Sequence, residues 1–468
     1  MERPDYLTDT EWPDAPVGEP TSAEDRPPAF SDEALALRFA ERHAGDLRYV
    51  AAWNKWLSWS GTHWRFDDTL HAFDLARRIC REAAAECNKS KIAVAIASAK
   101  TVAAVERLAR TDRRIAATIE QWDADPLLLN TPDGVLDLRT GDSRLHRAND
   151  HMTKIAAVGP RGNCPRFLAF LERITSRDGE LVAYLRRVFG YALTGVTREH
   201  ALFFGYGTGA NGKSVLLPTV AGILGDYHKT APIESFVAST GDRQPTNLAG
   251  PRGARLVSAT ETEEGRRWAE AKIKQLTGGD TVSARFMRQD FFEFRPQFKL
   301  FVASNHKPSL RSVDEAIRRR FHLVPFAVTI PDEERDGEVA EKLKDEWPGI
   351  LAWLIGGCLD WQTEGLRAPQ AVREATDAYL SAEDSLAAWL DEKCERAANA
   401  WESSGALFAS WKAWASAAEE NPGNNKRFAQ ALETRGFTSG RKRLGVGNPV
   451  RGFGGVRLIQ ETPTWDER

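Results

Sequence analysis

The spacing of apolar and polar positions divides the chain into segments of different period. From Ser31, Ala34, Leu35, Leu37, Phe39 and Ala40 recur at helical spacing, and helical patterns resume over 75–87 and 93–118. Between them lie Trp53, Trp56, Trp59 and Trp64, interrupted by Ser60-Gly61, a density of indole that points to packing. Apolar runs at 127–130 and 135–138 bracket Pro132-Asp133-Gly134, a turn sequence that predicts a small hairpin. Leu168, Leu171, Leu185 and Val188 predict a helical collar over 167–193. Three short, mainly apolar runs, at 201–204, 256–259 and 298–304, predict buried strands. After about residue 330 the pattern is helical again through 347–359, and helices are expected over 407–418 and 427–435.

Each of the three buried runs ends in polar chemistry. The first leads into Gly207-Thr208-Gly209-Ala210-Asn211-Gly212-Lys213-Ser214, which has the eight-residue P-loop spacing, and a helical pattern follows. In that order, glycines let backbone N–H groups turn onto phosphates and Lys213 sets its ammonium against the β- and γ-phosphates. The Ser214 hydroxyl can ligate magnesium at the helix start. ATP and Mg2+ are therefore the expected cofactors. Pro218 removes a backbone donor early in that helix and predicts a local kink.

The second run ends in Thr260-Glu261-Thr262-Glu263-Glu264, where a carboxylate could hold the metal or orient water. Glu261 and Glu263 are the candidates, and Glu261, which leaves the strand first, is also the expected magnesium ligand; the plainer alternative is a solvated acidic turn. The third run finishes at Asn305-His306-Lys307-Pro308. Asn305 is a candidate sensor of the γ-phosphate or its attacking water, against the reading of an ordinary turn residue, and His306 reads as structural. Asp314-Glu315-Ala316-Ile317 leads into Arg318, Arg319 and Arg320 beside a further apolar run. One of these guanidiniums could act as an arginine finger, entering a neighbouring subunit's site, and the alternative is a solvated basic helix end.

Composition narrows the setting. A chain of 468 residues exceeds one core and implies two to four units. Its 63 basic and 66 acidic side chains nearly cancel, leaving room for local basic surfaces. The five cysteines, Cys80, Cys87, Cys164, Cys358 and Cys394, are scattered without paired spacing, so neither disulfides nor zinc is expected. No run approaches the roughly 18 apolar residues of a membrane span, so a soluble, cytoplasmic protein without a membrane partner is expected. Residues 1–30, rich in Pro, Asp and Glu, read as a disordered leader.

Together the motifs resemble the superfamily 3 helicases, specifically the helicase portion of phage and plasmid primase-helicases and their poxvirus-type relatives. The resemblance rests on residues 207–214, Glu261-Thr262-Glu263-Glu264-Gly265-Arg266-Arg267, Lys274-Gln275-Leu276-Thr277-Gly278-Gly279-Asp280, Ser304-Asn305-His306-Lys307-Pro308 and residues 314–320. It implies an α/β P-loop core of the AAA+ type, preceded by a mostly helical domain and followed by a winged-helix domain. It also implies a ring, usually hexameric, that hydrolyses ATP between subunits and moves 3′ to 5′ on single-stranded DNA. Under it Lys213 and Ser214 bind nucleotide and magnesium, Glu261 or Glu263 takes the acidic role, Asn305 is the sensor and the arginine triplet supplies the finger.

The segment 272–294 corresponds to the motif that places a DNA-contacting hairpin in the ring channel. Val282, Ala284 and Phe286 alternate there, and Lys272, Lys274, Arg285 and Arg288 are candidate phosphate contacts. The tail resembles a winged helix whose wing, 440–455, carries Arg441, Lys442, Arg443 and Arg451. The expected division is a leader at 1–30, a mostly helical domain with a small hairpin at 31–158, a collar at 159–197, the ATPase core at 198–330, its C-terminal helices at 331–383 and the winged helix at 384–468. Nothing here has the length or paired acidic motif of a primase, so primer synthesis is not expected. Single-stranded and forked DNA, further copies of the chain, and a separate primase or replication initiator are the expected partners, in the cytoplasm of a prokaryotic host of the phage or plasmid. The alternatives are an ATP-regulated DNA-binding initiator that does not unwind, and more distantly a small-molecule kinase.

Overall fold

The computed structural model describes residues 27–238, 250–260, 266–285, 291–310, 313–418, 422–443 and 449–459. The expected leader lies almost entirely outside them. The chain forms two compact units, one of residues 1–124 with 144–155 and the other of residues 125–143 with 156–468.

In the first unit a four-stranded sheet carries helices on one face. Helix Asp32–His43 starts at Ser31, whose hydroxyl accepts from the Ala34 N–H. The helical pattern at 93–118 forms two helices, Ser90–Ile96 and Ala99–Ala109, because Ser98 caps the second by accepting from the Thr101 N–H. Phe39, Ile79, Val105 and Trp56 share the core between helices and sheet. The Trp56 indole donates to the buried Glu106 carboxylate, which also pairs with Arg110 at 2.8 Å. Trp53, Trp59, Trp64 and Trp122 form a separate small core, so the indole cluster does pack.

The second unit is built around a five-stranded parallel sheet. Its strands are β1 (Leu202–Tyr206), β2 (His228–Thr230), β3 (Leu256–Thr260), β4 (Lys299–Ser304) and β5 (Phe321–Pro325), in the order β5-β1-β4-β3-β2. Central strands buried on both faces read as continuous apolar runs, which is why 202–204 and 300–303 show no alternation. The arrangement is consistent with a P-loop core.

The collar pattern forms two helices, Pro165–Ile174 and Gly179–Ala192, separated where the Asp178 carboxylate accepts from the Leu181 N–H. The second packs against helix Trp347–Glu364 in the larger core. Its C-terminal end meets two buried basic side chains, Arg255 and Lys299. Arg255 donates to the Leu193 carbonyl at 2.6 Å, and Lys299 donates to the carbonyls of Thr194 and, at 3.2 Å, Val196. Carbonyls at a helix C-terminus carry the negative end of its dipole and favour N–H donors, while complete burial, helped by the neighbouring Arg255, pushes the Lys299 amine well below its ordinary range. Strands Leu128–Thr131 and Gly134–Asp137 pair antiparallel around Pro132-Asp133, as the turn sequence predicts.

Residues 385–458 run helix Ser385–Lys393, strand Cys394–Ser403, helices Ser404–Ala417 and Asn425–Thr434, then strands Thr438–Lys442 and Val450–Leu458. The last strand pairs antiparallel with both others. Trp389, Trp411, Phe428 and Val456 form its core. Among the described residues no helix is long and apolar enough to cross a membrane.

Candidate nucleotide site and nucleic-acid interface

All five strands run the same way, so their carboxyl ends lie along one edge, where open α/β sheets bind ligands. Tyr206 of β1 is in register with Ser304 of β4, and Ala303 with Thr260 of β3. The sheet therefore sets the P-loop, the start of the acidic motif and Asn305 side by side. Glu261 and Glu263 themselves lie outside the described residues.

The loop turns through Gly209 (φ 103°), Ala210 (φ 48°) and Gly212 (φ 83°) into helix Lys213–Leu224. Gly212 needs that left-handed backbone, and a Cβ on it would meet Ile174 Cγ2 of the collar at 2.4 Å. Successive left-handed and right-handed residues turn N–H groups inward as an anion nest. The helix continues through Pro218 to Leu224, so the proline costs one hydrogen bond without ending it.

Lys213 is buried and donates to three oxygens: the Gly207 carbonyl at 2.9 Å, Asn211 Oδ1 at 3.0 Å and Asn305 Oδ1 at 3.3 Å. Burial pushes its ammonium down to about 8. Beside it opens a cleft of about 890 Å³, which Ser214, Thr260, Ser304, Asn305 and His306 also line. Its far wall is polar. His228 Nε2 lies 2.8 Å from Ser258 Oγ, and burial, helped by Lys229, brings the imidazole down to about 4, so it is neutral. Ser214 is placed to reach a metal in the cleft, and the P-loop with Lys213 fits a nucleotide's phosphates.

The three arginines part company. Arg320 turns inward, donating to Thr277 Oγ1 at 3.2 Å and to the Ala316 carbonyl at 2.7 Å. Arg318 lies 3.8 Å from Asp377. Arg319 is exposed, and its guanidinium has no ion-pair partner among the described residues.

Of the candidate DNA contacts, Lys274 is ion-paired to Asp314, which also caps the short helix Glu315–Arg318. Lys272 is half-buried. The expected hairpin is present, with Val282–Ala284 paired antiparallel to Phe292–Phe294, and Arg285 stacks on the exposed Phe291 ring at 5.0 Å. Arg288 and Phe286 lie outside the described residues. In the tail Arg441, Lys442 and Arg443 are exposed, Arg441 faces Arg451 across the strand pair, and Lys442 lies over Trp401 at 5.8 Å.

Sequence reasoning missed the Asn211 side chain, the Phe326 carbonyl it binds, and the polar wall of His228 and Ser258. The one available signal was an amide side chain inside the P-loop, at a position to which no side-chain role was assigned.

Residues 36–176 match the family described as D5 N terminal like, and residues 205–320 a family of unknown function, DUF5906. The chain is 28% identical over 229 residues to a protein of Acanthamoeba polyphaga mimivirus named "Putative helicase L207/L206", covering 45% of this chain and 24% of that one. It is 26% identical over 289 residues to "Putative helicase 022R" of Frog virus 3, covering 55% and 28%. The matched stretches thus span about a quarter of each viral protein. The fold is similar to the C-terminal region of NrS-1, with a TM-score of 0.53 at 9% identity over 91% of this chain and 99% of that one.

Proposed function

We propose that the chain is an ATP-dependent DNA helicase of phage or plasmid replication, working as a homo-oligomeric ring, hexameric, that translocates 3′ to 5′ on single-stranded DNA. The observation that carries this reading is the position of Lys213, buried between the P-loop and Asn305 at the carboxyl edge of a parallel sheet. The distant likeness to viral proteins named as helicases supports it.

In this reading Lys213 and the loop N–H groups hold the phosphates, while Ser214 and Glu261 hold magnesium, which supplies charge neutralisation when bound. Asn305 orients the attacking water, with Glu261 or Glu263 as its base. Arg319 is the finger offered to the neighbouring subunit, because Arg320 is committed inside its own subunit. The hairpin arginines Arg285 and Arg288, with Lys272 and Lys274, grip the DNA backbone, and residues 384–468 act as a winged helix whose wing presents Arg441, Lys442 and Arg443.

A forked-duplex assay tests the proposal: ATP-dependent strand release that disappears in Lys213→Ala is expected. Tight DNA binding with ATP turnover and no strand release would instead assign a replication initiator.

A further inference from the structure

The P-loop holds a side-chain amide that no phosphate contact explains. Asn211 is only 3% exposed, and its carboxamide is used at both ends. Nδ2 donates to the Phe326 carbonyl at 3.2 Å, and Oδ1 accepts from Lys213 Nζ at 3.0 Å. Because a carbonyl can only accept and an ammonium can only donate, these partners fix which way the amide faces. The Phe326 carbonyl is held in turn, since Phe326 continues β5 by donating its N–H to the Tyr206 carbonyl at 2.7 Å. Gly207 makes room for the amide, as a Cβ there would meet Asn211 Nδ2 at 2.2 Å and the Phe326 carbonyl at 2.3 Å.

An ammonium has three protons, and Lys213 spends all three on Gly207, Asn211 and Asn305. A phosphate must displace at least one. The Asn305 bond is the longest of the three and comes from an exposed residue just after another strand, so water readily replaces it. The Asn211 bond is buried and anchored from behind.

We propose that Asn211 is a positioning residue for Lys213: its amide, braced on Phe326, keeps the ammonium aimed into the cleft while Asn305 is the contact released to the incoming phosphate. Nucleotide binding thereby frees Asn305 for the attacking water. This rests on the nucleotide-site reading above. The titratable groups lining the cleft around Lys213 are His228 of β2 and His306 after β4, while the carboxylates that follow β3 lie outside the described residues.

The test is nucleotide affinity by calorimetry from pH 6.5 to 9.5 in the full chain, for wild type, Asn211→Ala, Asn211→Asp and Lys213→Ala, with thermal melts confirming folding. Losing the acceptor disfavours the ammonium, so Asn211→Ala moves the alkaline loss of affinity to lower pH and weakens binding on the order of tenfold at pH 8. Asn211→Asp keeps the acceptor toward Lys213 and adds negative charge, although it loses the donor to the Phe326 carbonyl, so it moves the same loss to higher pH. Should Asn211→Ala fail to fold, the direction of the Asn211→Asp shift decides alone. Alkaline limbs that coincide with wild type, while Lys213→Ala abolishes binding, overturn the role of Asn211 and leave the nucleotide site standing. Binding untouched by Lys213→Ala overturns the nucleotide site and the inference with it.

Discussion

The ammonium of Lys213 lies 3.3 Å from Oδ1 of Asn305, so the P-loop lysine and the residue just after β4 already touch where both line the cleft. Two polar groups 92 residues apart in the chain meet because β1 and β4 are neighbours in the sheet. The contact means that Lys213 and Asn305 respond together to whatever enters.

Nucleotide binding should weaken above about pH 8. Burial holds the Lys213 ammonium near that value in the free protein, whereas bound phosphate favours its charged form, so binding takes up a proton wherever the free lysine has lost it. Affinity is therefore full below about pH 8 and falls as pH rises through it. Titration at a series of pH values checks this, and an affinity flat to pH 9.5 would contradict it.

Arg319→Ala and Arg320→Ala should separate activity from stability. Arg319→Ala leaves the melting transition in place and removes ATP hydrolysis in the assembled protein. Arg320→Ala strips partners from Thr277 and the Ala316 carbonyl and destabilises the fold by about 1–3 kcal/mol. Mixing Lys213→Ala with Arg319→Ala subunits should restore some turnover through mixed interfaces. No recovery at any ratio means the arginine does not act on a neighbour.

Lys299→Ala should be among the most damaging changes outside the cleft. It leaves the carbonyls of Thr194 and Val196 without their buried donor and opens a cavity against the Tyr191 ring, a loss of about 3 kcal/mol or more. Chemical denaturation measures it, and a variant as stable as wild type would refute the capping role.

Arg441 and Arg451 sit opposite each other on paired strands, where like charges repel. Arg451→Gln should raise the melting temperature slightly while weakening DNA binding and lowering the salt slope by about 1. If DNA affinity and its salt dependence are unchanged, the strand pair is not a DNA contact.

Much of the nucleotide site is legible in the sequence. The order of strand, P-loop and helix is local: it depends on apolar runs, glycines and the residues that follow them, all within 202–224. The same holds for the hairpin turn at Pro132-Asp133, because turn residues act over a few positions. Helix breaks were harder to read. Ser98 and Asp178 split patterns that look continuous, since a capping side chain interrupts a helix without disturbing its apolar period.

The sequence by itself determined that an anion-binding loop follows a buried strand and that polar groups end each neighbouring strand, because propensity and turn chemistry are short-range. Only the tertiary structure decided that Asn211 reaches the Phe326 carbonyl 115 residues away, that Arg320 is spent on Thr277 while Arg319 stays exposed, and that Lys274 is held by Asp314. Those choices depend on strand order and on which donor meets which acceptor once water is excluded, and no local pattern encodes either.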